Sequence, residues 1–456
     1  MARFLKRTLL PVSAEAAYDW HARPGALERL SPPFVATHVL RKTGGIEPGS
    51  EVEISVPLGP FRTRWVARHG AARPGQEFCD EQVSGPFRSW RHVHRFEARS
   101  PSECVLEDAI EFELPGGFLG RAIGEPIARR QIERTFAFRH QITASDLGRH
   151  AQASPTMPLR IVVSGASGLV GSALLPFLST AGHTPVKLVR PPRTSGKDAV
   201  LWDPAKSQID RAALEGADAV VHLAGENIAA RRWSPAVKAE IERSRVQSTK
   251  LLAEALASLE RPPKVLVCAS AIGFYGERGD ELLDESSRPG TGFLADVCQK
   301  WESAAQPATT RGIRTVHLRF GVILSGRGGA LAKMLTPFKL GAGGRVGSGR
   351  QWMSWVALED VIGSILFAIT QPVTGPANVV SPNPVTNAEF TKVLGKVLNR
   401  PTIFPMPAPI VRIAFGELGD ALLLGSQRVL PKALQRSGFR FLYPDLEAAL
   451  RFELGR

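Results

Sequence analysis

Apolar and polar positions follow two different periods in this chain, and the change falls near residue 158. In the first stretch Phe4–Pro11 alternates like a strand, Ser13-Ala-Glu-Ala caps a helix running toward His21, and Pro24–Leu30 continues as a second short helix. Alternating segments recur at Ala36–Lys42, Glu51–Pro57, Arg62–His69, Glu77–Val83, Trp90–Ala98 and Val105–Leu114, split by Gly/Pro turns. Leu119–Thr143 closes the stretch at helical spacing. One curved antiparallel sheet gripping a C-terminal helix accounts for this order, and such a sheet encloses an apolar cavity. Aromatics at Phe61, Trp65, Phe78, Phe87 and Trp90 are its expected lining, suited to a small apolar or amphipathic ligand.

Residues 144–158, ASDLGRHAQASPTMP, are polar, small and Pro-bounded, and read as a linker. Beyond them Leu159, Ile161, Val162 and Val163 form a β-rich run too short for a buried helix, hence a parallel-sheet strand. Leu169–Ala181 has helical spacing and stops at Gly182, and Thr184–Arg190 supplies a second strand. Strand-like runs follow at Ala199–Trp202, Ala219–Leu223, Lys264–Ala269 and Arg314–Arg319, with helical segments such as Ser234–Ser258 and Leu294–Thr309 between them. This alternation predicts a doubly wound α/β sheet whose ligand crevice lies at the carboxyl ends of the strands.

The turn between the first strand and helix is Gly165-Ala166-Ser167-Gly168-Leu169-Val170-Gly171. Glycines there let the backbone approach a pyrophosphate, which sits on the N–H groups and positive dipole end of the helix. The end of the second strand bears on the choice of dinucleotide. An NAD site usually places Asp or Glu there to bind the ribose 2′-OH, whereas this chain has Arg190, with Arg193 three residues on and no acid nearby. A guanidinium suits a 2′-phosphate, so the expected cofactor is NADP(H).

Composition narrows the picture further. The chain has 456 residues, 43% hydrophobic and 22% charged, enough for two or three domains. Cys79, Cys104, Cys268 and Cys298 are far apart and form no C-x-x-C pair, which suggests neither a zinc ribbon nor a disulfide scaffold and fits a reducing cytoplasm. The N-terminus has no continuous apolar core of a signal peptide, and no stretch approaches the ~20 apolar residues of a membrane span. Net charge is +14, yet the basic residues are dispersed and no nucleic-acid motif accompanies them, so a solvated basic surface serving an anionic cofactor is the preferred reading. His92 and His94 share one strand face at metal-like spacing, but no third ligand stands at a suggestive distance in sequence. They are therefore read as structural, and no metal is expected.

Phrases across 159–456 resemble the atypical, epimerase-like branch of the extended short-chain dehydrogenases/reductases: SGASGLVG, VVHLAGENIAARRWS, IERSRVQSTKLL, GVILSGRGGAL, GSGRQWMSWVALEDV and LLLGSQRVLPKALQRSGFRFLYPDLEAAL. HARPGALERLSPP, SGPFRSWRHVHRF and EFELP resemble the START-like helix-grip superfamily over nearly all of 1–145. The resemblances imply a helix-grip domain over 1–145, a linker over 146–157, a Rossmann domain over 158–385 and an epimerase-like subdomain over 386–456. They also place Leu223 and Ala224 near the adenosine or ribose, with Glu240, Arg245 and Val322 completing the cofactor site.

One departure from the resemblance affects the chemistry. Reductases of this fold usually move the substrate proton with the Tyr of a Tyr-x-x-x-Lys pair. The three tyrosines here, Tyr18, Tyr275 and Tyr443, are followed four residues on by Ala22, Gly279 and Glu447. In the corresponding segment GFLADVCQKWESAA, Lys300 is present but its partner position is Asp296. Candidate catalytic groups are therefore Ser270 to orient a substrate oxygen, Lys300 to hold the ribose, and Tyr275 or Asp296 to supply the proton. Either the chain is an NADPH-linked oxidoreductase or epimerase acting on a small molecule with an unusual acid, or it binds the cofactor as a sensor or scaffold. Finally, the glycine-rich segment Gly326–Arg350 is expected to be a mobile lid.

Overall fold

In the computed structural model, which describes residues 1–153, 157–192 and 198–456, the alternating segments of the first stretch become seven antiparallel strands. In chain order this part holds β1 (Ala2–Leu10), α1 (Ala14–Ala22), α2 (Ala26–Arg29), β2 (His38–Lys42), β3 (Glu51–Leu58), β4 (Phe61–Arg73), β5 (Glu77–Ser84), β6 (Ser89–Ser100) and β7 (Glu103–Glu113). A turn α3 (Gly117–Leu119) then leads to the long helix α4 (Glu125–Ala153). The sheet order is β1-β7-β6-β5-β4-β3-β2, a meander closed by the N-terminal strand. Ser13 caps α1 by accepting from the Ala16 N–H at 3.2 Å. One face of the sheet and α4 share a core of Phe4, Trp90, Ile110, Phe112, Ile132 and Phe136, the helix-grip arrangement.

Two expectations change here. The helix does not stop at Thr143 but runs to Ala153, so the first eight residues of the expected linker 146–157 are helical. The reason is local: DLGRHAQA is rich in good helix formers, Pro155 is the first proline, and Leu147 and Asp146 are buried. The expected cavity lining is packed ring against ring instead. Trp65 lies 5.0 Å from Trp90 and 5.4 Å from Phe87, while Phe78 stacks on His94 at 4.1 Å. Phe61, at a hairpin tip, is 76% exposed.

The second part carries β8 (Arg160–Ser164), α5 (Leu169–Thr180), β9 (Thr184–Val189), β10 (Ala199–Asp203), β11 (Gln208–Ile209), β12 (Ala219–His222), α6 (Pro235–Ala257), β13 (Val265–Ala271) and β14 (Leu282–Leu283). It continues with α7 (Phe293–Ser303), α8 (Gln306–Thr310), β15 (Arg314–Phe320), β16 (Val322–Leu324), α9 (Gly329–Lys339), β17 (Trp352–Met353), β18 (Trp355–Ala357), α10 (Leu358–Thr370) and β19 (Gly375–Val379). The main sheet runs β11-β10-β9-β8-β12-β13-β15-β19, parallel except for the β10–β11 pair. Strand order reverses between β8 and β12, and that switch point is where ligands bind in sheets of this kind. The expected helix Leu294–Thr309 is two helices, because Pro307 has no N–H to continue the ladder.

The expected lid segment holds a helix and a hydrogen-bonded loop. Residues 329–339 form α9, and the loop after it is held by Val346 N–H to Asn387 Oδ1 at 2.8 Å and Gly347 N–H to the Met406 carbonyl at 2.9 Å. A Cβ on Gly344 would stand 1.9 Å from the Phe404 carbonyl oxygen, so this glycine serves close approach rather than freedom. By contacts the described residues of Met1–Ser154, with Pro176–Gly182 and Phe452–Arg456, form one compact unit. The described residues of Pro155–Leu175 and His183–Arg451 form the other, so 386–451 join the main sheet in one body. Strand pairing in two small separate sheets ties them in: Trp352 pairs Thr386 and Leu282 pairs Arg428.

Candidate functional site

The glycine turn after β8 is built by backbone contact. Gly165 has φ of +68°, and a Cβ there would meet the Leu223 carbonyl carbon at 2.7 Å and the Ala224 nitrogen at 2.9 Å. A Cβ on Gly171 would lie 2.3 Å from the Gly165 oxygen. These two glycines therefore press the turn against the loop after β12 and the helix against the turn. Gly168 differs, since its added Cβ would meet only the Gly165 oxygen, at 3.3 Å. Its outer face is the open one. The first turn of α5 has N–H groups without helical acceptors and no acidic residue. Ala166, Ser167, Gly168, Leu169 and Val170 thus form a cradle that fits a pyrophosphate.

A buried lock holds the two sides of that cradle together. The Ser164 hydroxyl accepts the N–H groups of Leu223 and Ala224 at 3.1 and 3.2 Å and donates to His222 Nδ1 at 2.7 Å. His222 Nε2 lies 3.3 Å from the Ser248 hydroxyl on α6. Burial lowers His222 to about 4, so it is a neutral spacer that can accept at one nitrogen and donate at the other. Arg245 on α6 supports the same loop, donating to the Glu226 carbonyl at 3.0 Å beneath Gly225. Arg190 stands exposed directly after β9, while Arg193 lies outside the described residues. Glu240 pairs with Arg243 on α6, and Val322 sits on β16 opposite Trp355. The turn, Leu223, Ala224 and Arg245 are thus brought together; among the described residues no hydrogen bond or ion pair joins the side chains of Glu240 or Val322 to them.

The four candidate catalytic residues fall into two groups. Ser270, at the end of β13, donates to Glu302 Oε1 at 2.7 Å. Glu302, on α7, also receives both Nε and Nη2 of Arg319 at 2.8 Å, a bidentate pair from β15. Arg319 Nη1 donates to the Tyr275 hydroxyl at 3.0 Å, and that hydroxyl donates to Asn378 Oδ1 at 2.8 Å on β19. The Arg319 guanidinium also covers the Phe274 ring at 3.4 Å. Tyr275 is fully buried, and burial pushes its pKa up. Tyr275 is thereby held between β15 and β19 and linked through Arg319 to α7. Asp296 and Lys300 lie exposed on α7, with Lys300 paired to Glu242 on α6 at 2.9 Å.

Glu302, Arg319 and Asn378 were absent from the sequence candidates. Arg319 carried a signal, a permanent charge among the apolar residues of the strand TVHLRF. Burial holds the Cys268 and Cys298 thiols up at about 12, so neither offers a thiolate. Among the described residues no helix is long and apolar enough to cross a membrane.

Residues 161–381 match the family described as NAD dependent epimerase/dehydratase, and residues 10–136 the one described as polyketide cyclase / dehydrase and lipid transport. Residues 406–453 match a domain of unknown function. An epimerase family protein of Mycobacterium tuberculosis (strain CDC 1551 / Oshkosh) is 45% identical over 297 residues, covering 65% of this chain and 98% of that protein. A nucleoside-diphosphate sugar epimerase from Corynebacterium glutamicum superposes with a TM-score of 0.80 at 34% identity, over 99% of this chain and 90% of that one. The human epimerase family protein SDR39U1, solved with NADPH, superposes with a TM-score of 0.60 at 34% identity, over 65% of this chain and 99% of its own.

Proposed function

We propose, for a chain that belongs to the NAD dependent epimerase/dehydratase family, that its second unit binds NADP(H) and carries out a reduction or epimerisation on a small molecule. The observation that carries this reading is the turn Gly165–Gly171, closed by two glycines and left open over Gly168 against a helix N-terminus. The bound nicotinamide would supply hydride at C4. This chain's own residues hold and select: Ala166–Val170 present N–H groups to the pyrophosphate, Leu223 and Ala224 border the nucleoside, and Arg190 takes the 2′-phosphate. The network of Ser270, Glu302, Arg319 and Tyr275 fixes the strand ends under the crevice.

A second reading has its own observation. Ser270 and Tyr275 are bonded into the buried network, while Asp296 and Lys300 point to solvent. That arrangement favours a protein that binds cofactor and turns over slowly or not at all. Calorimetric titration of the full chain tests the cofactor part. NADPH is expected to bind at least 10-fold more tightly than NADH, and Arg190→Glu to weaken NADPH by about 1–3 kcal/mol with little effect on NADH. Equal affinities for the two nucleotides in the unaltered protein contradict the assignment. For the first unit we infer a ligand-binding role from its match to the polyketide cyclase / dehydrase and lipid transport family; quenching of tryptophan fluorescence by a titrated fatty acid checks it, and fluorescence unchanged across the titration removes it.

A further inference from the structure

The sheet of the first unit buries a cluster that its family match does not account for. Strand register creates it. His92 on β6 stands opposite Asp80 on β5, and His94 stands opposite Asp108 on β7, with both histidines on one face. His92 Nδ1 lies 3.1 Å and His94 Nε2 3.9 Å from Asp80 Oδ2. On the other edge of the rings, Asp108 Oδ1 lies 2.7 Å from His94 Nδ1 and 3.3 Å from His92 Nε2. Asp108 Oδ2 in turn bonds His140 Nε2 of α4 at 2.9 Å, and His140 Nδ1 reaches the Thr8 hydroxyl at 2.8 Å. His92, His94 and Asp108 are each more than nine-tenths buried, yet His92 Nε2, His94 Nδ1 and Asp108 Oδ1 lack an aligned hydrogen bond. These three atoms face one another, so the side the cluster leaves for an ion is that of Asp80, where His92 Nδ1 and His94 Nε2 converge on one carboxylate oxygen.

We propose that Asp80, His92 and His94 bind a divalent transition-metal ion, with Asp108 as the carboxylate behind both imidazoles. Each of the three residues brings one ligand atom within 4.8 Å of the others. Ligands about 2.1 Å from a tetrahedral ion stand about 3.4 Å apart, and the two measured Asp80 separations bracket that value. Two imidazoles and one carboxylate suit zinc or a neighbouring first-row metal. Metal on the Asp80 side would direct His92 Nε2–H and His94 Nδ1–H at Asp108, the outer carboxylate that orients metal-bound histidines in known sites. The Asp80 side chain is 18% exposed, which gives the ion a route in and leaves a coordination position open. His69, whose buried Nδ1 also lacks a partner, faces Asp80 from β4 at that mouth.

The competing occupant is a proton. Burial lowers His92, but Asp80 and Asp108 more than offset this and hold it at about 9, so an imidazolium between two carboxylates is the metal-free alternative. Metal analysis of the tag-free full chain separates the two. The protein is stripped with EDTA, loaded with Zn²⁺, desalted and analysed by mass spectrometry of the metal. About one zinc per chain is expected, together with a visible absorption band when Co²⁺ replaces it. Asp80→Asn keeps the side-chain shape and is expected to lower Zn²⁺ affinity at least 10-fold, while replacing the exposed His38 by Ala leaves retention unchanged. Should Asp80→Asn fail to fold, the Co²⁺ band of the unaltered protein decides. Less than about a tenth of a zinc per chain with no Co²⁺ band overturns the proposal in favour of the proton, and equal retention by folded Asp80→Asn overturns it in favour of surface binding.

Discussion

Arg319 brings a positive charge into the main sheet with its side chain only 4% exposed, and the Glu302 carboxylate keeps it there. Removing one member leaves the other charge buried and unpaired, so Glu302→Gln is expected to destabilise the chain by about 3–5 kcal/mol in denaturant unfolding. Tyr275→Phe removes one hydroxyl from the same network and should cost about 1–3 kcal/mol. If Tyr275 is scaffold, as its bonds to Arg319 and Asn378 indicate, the folded Tyr275→Phe protein keeps its NADPH affinity and any turnover. A loss of turnover with stability unchanged would return the tyrosine to the chemistry. His222 makes a pH prediction. Its folded pKa, about 4, lies below the ordinary 6.5, so the unfolded chain takes up the proton first. Stability from this residue is full above about pH 6.5 and falls as pH drops toward 4, by about 3 kcal/mol in all. Urea unfolding at pH 7 and pH 4 should show His222→Gln losing about that much less than the unaltered protein.

At the scale of elements, the strand–turn–helix β8–α5 separates a glycine needed for folding from one needed for the ligand. Gly171→Ala would drive a Cβ to 2.3 Å from the Gly165 oxygen, and the expected outcome is a lower melting temperature as well as lost cofactor binding. Gly168→Ala meets only the 3.3 Å contact, so it should keep the melting temperature within a few degrees while weakening NADPH at least 10-fold. If Gly168→Ala binds NADPH as tightly as the unaltered chain, the cradle does not hold the pyrophosphate. The elements themselves were legible because their periods are local. The register of Asp80 against His92 was not, since those residues lie on different strands and no nearby spacing links them. Glycine content alone does not say what each glycine is for: Gly326–Arg350 reads as freedom in sequence, yet at Gly344 a neighbouring backbone leaves no room for a Cβ. Glu302 and Lys300 sit two apart on α7, and only packing decides that the first turns inward and the second outward.

Across the whole molecule, charge and domain organisation point the same way. Residues 1–150 hold 21 Lys and Arg against 18 Asp and Glu, so most of the +14 belongs to the part with the nucleotide cradle. An anion carrying the extra 2′-phosphate should feel that field more strongly, and raising salt from 50 to 500 mM should weaken NADPH several-fold more than NADH. A salt response equal for both nucleotides would leave Arg190 without its assigned role. The division of the chain into an antiparallel and a parallel part was readable from the change in period, but its boundary was not. Polar composition marked 146–153 as a connection, while helix propensity and the burial of Leu147 extended α4 through it. The measurement that tests the account most directly is a crystal structure of the full chain with NADPH. The account predicts the pyrophosphate over the N–H groups of Ala166–Val170 and the 2′-phosphate against the Arg190 guanidinium; a nucleotide bound elsewhere, or its 2′-phosphate turned away from Arg190, would contradict it.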